Sequence, residues 1–271
     1  MACPSRMTKR SEDLPDFRAP PLNEVVLGVQ FNLPTGYQQI LAGDVWKLFK
    51  DKYPQVQDQP PLPPTFETFG RTAVTGQFQL IPAPLHTRFW FLQPDGDELI
   101  QFQQDRLLHN WRKVGDGENP YPRFESIAPR FRNELDSLQK YLTSLAPQTL
   151  DINQAEISYI NQFKLGESTA SDWLRFITHE TSATEDFSVA FRETILDETR
   201  KAQGRLVCDV LSSTYPDGEK GIQITLTARG APEGTDIDSA LNFIAVGHAI
   251  IVRRFTSLTT DFAHEKWGRI K

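Results

Sequence analysis

The residues best equipped for chemistry in this chain sit inside an apolar stretch. Between Glu98 and Arg112, Gln103, Gln104, Asp105, Arg106, His109, Asn110 and Arg112 are interleaved with Ile100, Phe102, Leu107, Leu108 and Trp111. Read as one strand of period two, Gln103, Asp105 and His109 share one face, and Gln104, Arg106 and Asn110 share the other. Buried polar groups must be paired or hydrated, so at least one set forms an internal network or lines a wet cavity. The expectation is an ion pair between Asp105 and an arginine.

A second polar cluster lies in Glu156-Ile157-Ser158-Tyr159-Ile160-Asn161. If this strand is central, Tyr159 and Asn161 are interior and face a groove shared with the first cluster. A carboxylate, a guanidinium and a phenol can serve as base, oxyanion clamp and acid. An enzyme reading therefore gathers Asp105, Arg106, Tyr159 and Asn161 around one cavity between sheet and helix. The blander reading is an Asp–Arg pair, solvated glutamines and a core tyrosine.

The tail Leu258–Gly268 holds Asp261, His264 and Glu265, types that bind metals, with His248 upstream. A metal site needs three or four converging ligands with supporting hydrogen bonds, and one Asp-x-x-His spacing does not supply them. No metal and no cofactor are expected. Asp261 and His264 are read instead as capping the preceding helix, with Phe262 and Trp267 pinning the terminus. The chain has no phosphate-binding glycine loop, dinucleotide fingerprint, nucleophile elbow or His-Glu-x-x-His pair.

Composition sets the frame around these residues. The 271 residues carry a net charge of -6, which argues against a broad nucleic-acid-binding face, although Arg88, Phe89, Trp90 and Phe91 could form a local stacking surface. Two cysteines, Cys3 and Cys208, support neither a disulfide framework nor a thiolate metal site, and a cytoplasmic location is expected. No apolar run approaches the roughly 20 residues of a membrane span. Residues 1–21 read as a disordered leader.

The elements that position the polar clusters come in two similar sets. Residues 22–146 read as a strand (Glu24–Phe31), a helix (Ile40, Leu41, Val45, Leu48, Phe49), an extended linker from Gln55 to Pro64, three β segments (Thr72–Ile81, Thr87–Gln93, Glu98–Arg112) and a helix bearing Phe131, Leu135, Leu138, Leu142 and Leu145. After a linker at 147–151, residues 152–271 repeat the order. A strand at Ala155–Leu165 leads to a capping box at Thr169 and Asp172 that opens a short helix through Trp173, Phe176 and Ile177. Strands at Phe187–Leu196, Leu206–Ser213 and Gly221–Arg229 follow. Asp236 then caps a long helix with the stripe Ile237, Ala240, Leu241, Ile244, Ile251, Val252, Phe255 and Leu258. Two β-α-β-β-β-α halves predict an α+β fold with a curved, mainly antiparallel sheet gripped by long helices, which resembles TATA-binding-protein-like and helix-grip architectures.

Several stretches also resemble, in combination, a sporadically distributed bacterial and archaeal family of full-length proteins with no assigned activity. They are Pro21-Leu22-Asn23-Glu24-Val25-Val26, Phe102-Gln103-Gln104-Asp105-Arg106-Leu107 with Asn110-Trp111-Arg112, Tyr121-Pro122, Tyr159-Ile160-Asn161, and Leu258-Thr259-Thr260-Asp261 with His264 and Trp267-Gly268. The family's patchy occurrence implies a role in defence or in a toxin–antitoxin pair. The leading functional expectation is a non-catalytic binding protein for a protein partner or a small ligand, using Gln103, Asp105, Arg106, Asn110, Trp111, Tyr159 and Asn161. An enzyme is the alternative, and nucleic-acid binding on the sheet the third reading.

Overall fold

In Ile152–Lys164 (β6) the residues Ile157, Tyr159, Asn161 and Phe163 are buried while Glu156, Ser158, Ile160 and Gln162 are half-buried. That alternation belongs to a sheet covered by helices on one face. The computed structural model describes residues 13–69, 86–115, 117, 119–178 and 185–271. Among them, Leu22–Phe31 (β1), Gln55–Gln59 (β2), Arg88–Leu92 (β3), Glu98–Gln103 (β4), Arg106–Arg112 (β5), β6, Ser188–Leu196 (β7), Ala202–Thr214 (β8) and Lys220–Gly230 (β9) form one sheet. Its strand order is β2-β3-β4-β5-β1-β6-β9-β8-β7, and every neighbouring pair is antiparallel. The fold is α+β. β1 and β6 meet at the middle, with Val25 opposite Tyr159.

The described helices are Ala42–Lys47 (α1), Phe124–Leu145 (α2), Ala170–Trp173 (α3), Ile237–Leu258 (α4) and Asp261–Lys266 (α5). None is long and apolar enough to cross a membrane. α4 starts where the Asp236 carboxylate accepts a hydrogen bond from Ser239 N at 2.9 Å, and it lies on β6 and β9. Gly247 sets how closely it lies. A Cβ there would stand 2.8 Å from Ile157 Cγ2 and 2.9 Å from Ala228 Cβ. Gly→Ala inside a helix usually gains about 1 kcal/mol, but overpacking costs about 1–3 kcal/mol. Gly247→Ala is therefore expected to destabilise in urea unfolding, and a stabilised variant would show that α4 can ride higher on the sheet.

Four expectations need correction. Glu98–Arg112 is a tight hairpin, with Gln103 opposite Arg106 and only Gln104 and Asp105 in the turn. Gln103, Arg106 and Asn110 consequently share one face, and His109 lies on the other. Second, Gln55–Gln59 of the supposed linker pairs with β3 as an edge strand flanked by Pro54 and Pro60, where a missing N–H is tolerated. Third, the leader is anchored in its described part. Leu14 and Phe17 are buried, Arg18 N and Ala19 N donate to Gly268 O and Trp267 O, and Arg123 holds Asp16 at 3.0 Å. Fourth, the helical stripe after β1 is cut short by a 3-10 turn at Gln39–Leu41, which turns Ile40 outward to 86% exposure. The segment Thr72–Ile81 and residues 1–12, Cys3 included, lie outside the described residues. Cys208 is enclosed, and burial pushes its thiol up to about 12.

Candidate functional site

Directly opposed residues on neighbouring strands share a face, so the registers assign every predicted site residue to one side of the sheet. Trp111, Val25 and Tyr159 are aligned across β5, β1 and β6 and point toward the helices. Gln103, Arg106, Gln30 and Gln154 are aligned across β4, β5, β1 and β6 on the opposite, open face. Val25 and Gln30 are five residues apart, an odd number, and the β1 register has no shift between them. Asp105 and Arg106 are thus separated from Tyr159 and Asn161 by the thickness of the sheet and most of the length of β1. The shared groove expected from the sequence is not formed, nor is the four-residue catalytic cluster.

On the helix side, Trp111 packs on Tyr121 with ring centroids 5.2 Å apart, and the Tyr159 hydroxyl lies 3.0 Å from Tyr121 Oη and 2.7 Å from His248 Nδ1. His248 stacks on Phe124 at 4.2 Å. Asn161 Nδ2 donates to Ile224 O at 3.3 Å and borders, with Tyr159, a cavity of about 50 Å³. That is room for water and little more. A second network lies deeper. Glu134 on α2 accepts from Tyr53 Oη at 2.9 Å and faces His109 Nδ1 at 2.9 Å, while Lys52 bridges Tyr53 to Glu98. Burial alone would raise the Glu98 carboxyl, but the hydrogen bond and charge of Lys52, with His109 and Arg130, hold it below its ordinary value. His109 has no exposed surface, so it cannot meet a substrate as it stands; Lys52, 46% exposed, is the solvent end of this chain.

In the tail, His264 Nε2 meets Thr259 Oγ1 at 2.9 Å, and that hydroxyl donates to Phe255 O in the last turn of α4. Asp261 is exposed and takes Arg175 at 2.7 Å, so it does not cap α4 as expected; Thr260 caps the separate helix α5. Burial, then the charges of Arg269 and Arg175, pull His264 below its ordinary value. Trp267 stacks on Phe255 at 5.2 Å and contacts Phe163, Trp173 and Phe17. Among the described residues no cluster of three metal-ligating side chains forms.

The open face carries the larger cavity. Asn110 is held there by Gln101 and Glu24. The proline-rich segment after β2 then crosses this face as a strap. Pro60 O accepts from Arg88 on β3, Leu62 exchanges two hydrogen bonds with the Gln103 amide on β4, Thr65 N donates to Gln30 on β1, and Glu67 binds Arg205 on β8 at 2.7 Å and faces Arg229 on β9 at 3.6 Å. Prolines enforce the extended chain this needs. Six strand spacings at about 4.8 Å come to roughly 29 Å, and the residues from Pro60 to Thr68 reach about that far when extended.

Between strap and sheet lies a cavity of about 290 Å³, with Leu62, Pro63 and Thr65 above and Gln30, Arg106, Leu108, Gln154, Glu156 and Arg229 below. Gly28 stands between Leu108 and Glu156 in the same cross-strand row, where a Cβ would come within 3.1 Å of both. Arg106 is buried and paired with Asp105, through Nε at 3.1 Å and Nη2 at 3.0 Å. The expected Asp105–arginine pair is thus present, made with its own neighbour. Arg229 Nε binds Glu156 at 2.7 Å. Sequence reasoning picked out Gln103, Asp105 and Arg106 of this site and missed Gln30, Gln154, Arg229 and the strap. Glutamines near the ends of two apolar strands were the available signal, but their alignment across β1 and β6 is a tertiary fact. No protein-family model, curated protein or solved structure matches this chain.

Proposed function

We propose that the protein is a binding protein that holds a small polar ligand on the open face of its sheet, beneath the strap. The observation that carries this reading is the cavity of about 290 Å³ roofed by Leu62, Pro63 and Thr65, on which Gln30, Arg106, Gln154, Glu156 and Arg229 converge among apolar neighbours. Convergent polar groups in a concave site mark small-molecule binding, and the volume falls just below the usual range of about 300–1,000 Å³. The enzyme reading has less support, because its four residues lie on opposite faces. A pseudo-duplicated, TATA-binding-protein-like architecture is part of the proposal. It is supported by the order β1-β5-β4-β3 running outward on one side, with β2 as an additional outermost strand, and β6-β9-β8-β7 on the other, each set followed by a 22-residue helix. The defence or toxin–antitoxin setting implied by the family resemblance is a separate proposal, to be checked by testing whether a neighbouring gene's product is toxic alone.

Gently purified protein, denatured into a mass spectrometer, is expected to release a stoichiometric small molecule, or else to gain thermal stability from members of a metabolite library. Thr65→Trp, which places an indole at the cavity roof, should abolish either effect while leaving the circular dichroism spectrum unchanged. Failure of the native protein in both assays would refute the binding role.

A further inference from the structure

We infer that the strap cavity takes a small zwitterion carrying a carboxylate and a primary ammonium group, of the size of a free amino acid. This rests on the proposed binding role and adds the chemical class of the ligand. Three observations on the cavity wall lead to it. Gln154, 7% exposed, commits its Nε2 to Asn153 O at 2.8 Å, which fixes the amide orientation, and its Oε1 is a buried acceptor with no donor. A buried acceptor left unsatisfied is costly, and a ligand N–H placed there would remove the penalty.

Guanidinium donors supply the complementary end. Arg106 spends Nε and Nη2 on Asp105 and Gln30, and Arg229 spends Nε on Glu156. Among the described residues Arg106 Nη1 and Arg229 Nη2 have no hydrogen-bond acceptor. Guanidinium N–H pairs are well matched to a carboxylate. Glu156, bound to Arg229 through Oε2 alone, leaves Oε1 for a cation.

Charge balance selects between the halves of such a ligand. Around the cavity, Arg106, Arg205 and Arg229 are matched by Asp105, Glu67 and Glu156, while Arg88 holds the far end of the strap at Pro60. A net anion or a net cation would bring an uncompensated charge into a partly desolvated site, whereas a zwitterion brings none. The wall thus offers cationic donors and anionic or amide acceptors, and with Asp105 behind Arg106 its charges balance.

Calorimetric titration of the full chain with glycine, L-alanine and L-serine, against acetate and propionate and against methylamine and ethylamine, tests the class. At least one amino acid is expected to bind tenfold or more tightly than either of its half-ligands. Gln154→Leu removes the unsatisfied acceptor, so it should keep or raise the melting temperature while weakening amino-acid binding at least tenfold. Preference for the carboxylates or the amines would overturn the zwitterion assignment and leave the cavity as a binding site. Undiminished binding in Gln154→Leu would remove Gln154 from the site, and the assignment with it. Silence from every probe, in a protein that still releases or is stabilised by some other molecule, overturns the ligand class alone. Silence without such a molecule defeats the binding role as well.

Discussion

Glu134→Ala is expected to lower the unfolding free energy by about 2–6 kcal/mol, the cost of leaving two buried donors unsatisfied at about 1–3 kcal/mol each. Glu134 is the acceptor on which two enclosed groups depend, Tyr53 Oη at 2.9 Å and His109 Nδ1 at 2.9 Å. Burial, reinforced by the Glu134 charge, drives the Tyr53 phenol far above its ordinary value, so it stays protonated and donates. A carboxylate only accepts, so Nδ1 of His109 carries its proton toward Glu134. Alanine strands both donors beneath α2, where His109 has no access to solvent. Glu134→Gln keeps an acceptor oxygen in place and should lose much less. Urea unfolding of the two variants decides the matter; a Glu134→Ala loss below about 1 kcal/mol would mean that water enters and replaces the carboxylate.

The difference between what was legible and what was not follows from backbone conformation. The turns at Pro94–Asp97 and Tyr215–Gly218 could be read because Gly96 and Gly218 sit at φ of +72° and +85°, where glycine is favoured, and the sequence therefore marks them. The turn at Gln104 and Asp105 contains no residue of positive φ, so it needs no glycine or asparagine and leaves no such mark. It is held instead by side chains, with the Asp105 carboxylate accepting from Gln103 and Arg106, and by Phe31 N donating to Asp105 O across to β1. Missing that turn assigned Arg106 and Gln103 to opposite faces and produced a shared groove that the registers rule out. The helices carried stronger signals. The stripe of α4 and its Asp236 cap are local in sequence, and the structure reproduces the cap and buries every residue of the stripe but Val252, which is half-buried. The strap was legible only as an extended proline-rich segment, since its partners Arg205 and Arg229 lie about 140 and 160 residues away in sequence, and no local pattern encodes such a contact.

Asp105→Ala tests this hairpin and the cavity together. The Asp105 side chain, 17% exposed, satisfies the guanidinium of Arg106, 9% exposed, whose other acceptor is Gln30 Oε1 at 3.3 Å. Removing the carboxylate leaves a buried cation nearly unpaired, and a loss of about 3–5 kcal/mol is expected in chemical denaturation. Because Arg106 lines the strap cavity, an unpaired guanidinium there should also shift binding away from zwitterions and toward net anions. The double variant Asp105→Ala/Arg106→Met separates the two roles. With no charge left to strand, it should recover most of the lost stability, since apolar replacement of a buried ion pair is often neutral. It should fail to bind, for want of the guanidinium at the cavity wall. A double variant no more stable than Asp105→Ala would place the effect in the turn backbone, and one that bound normally would remove Arg106 from the site.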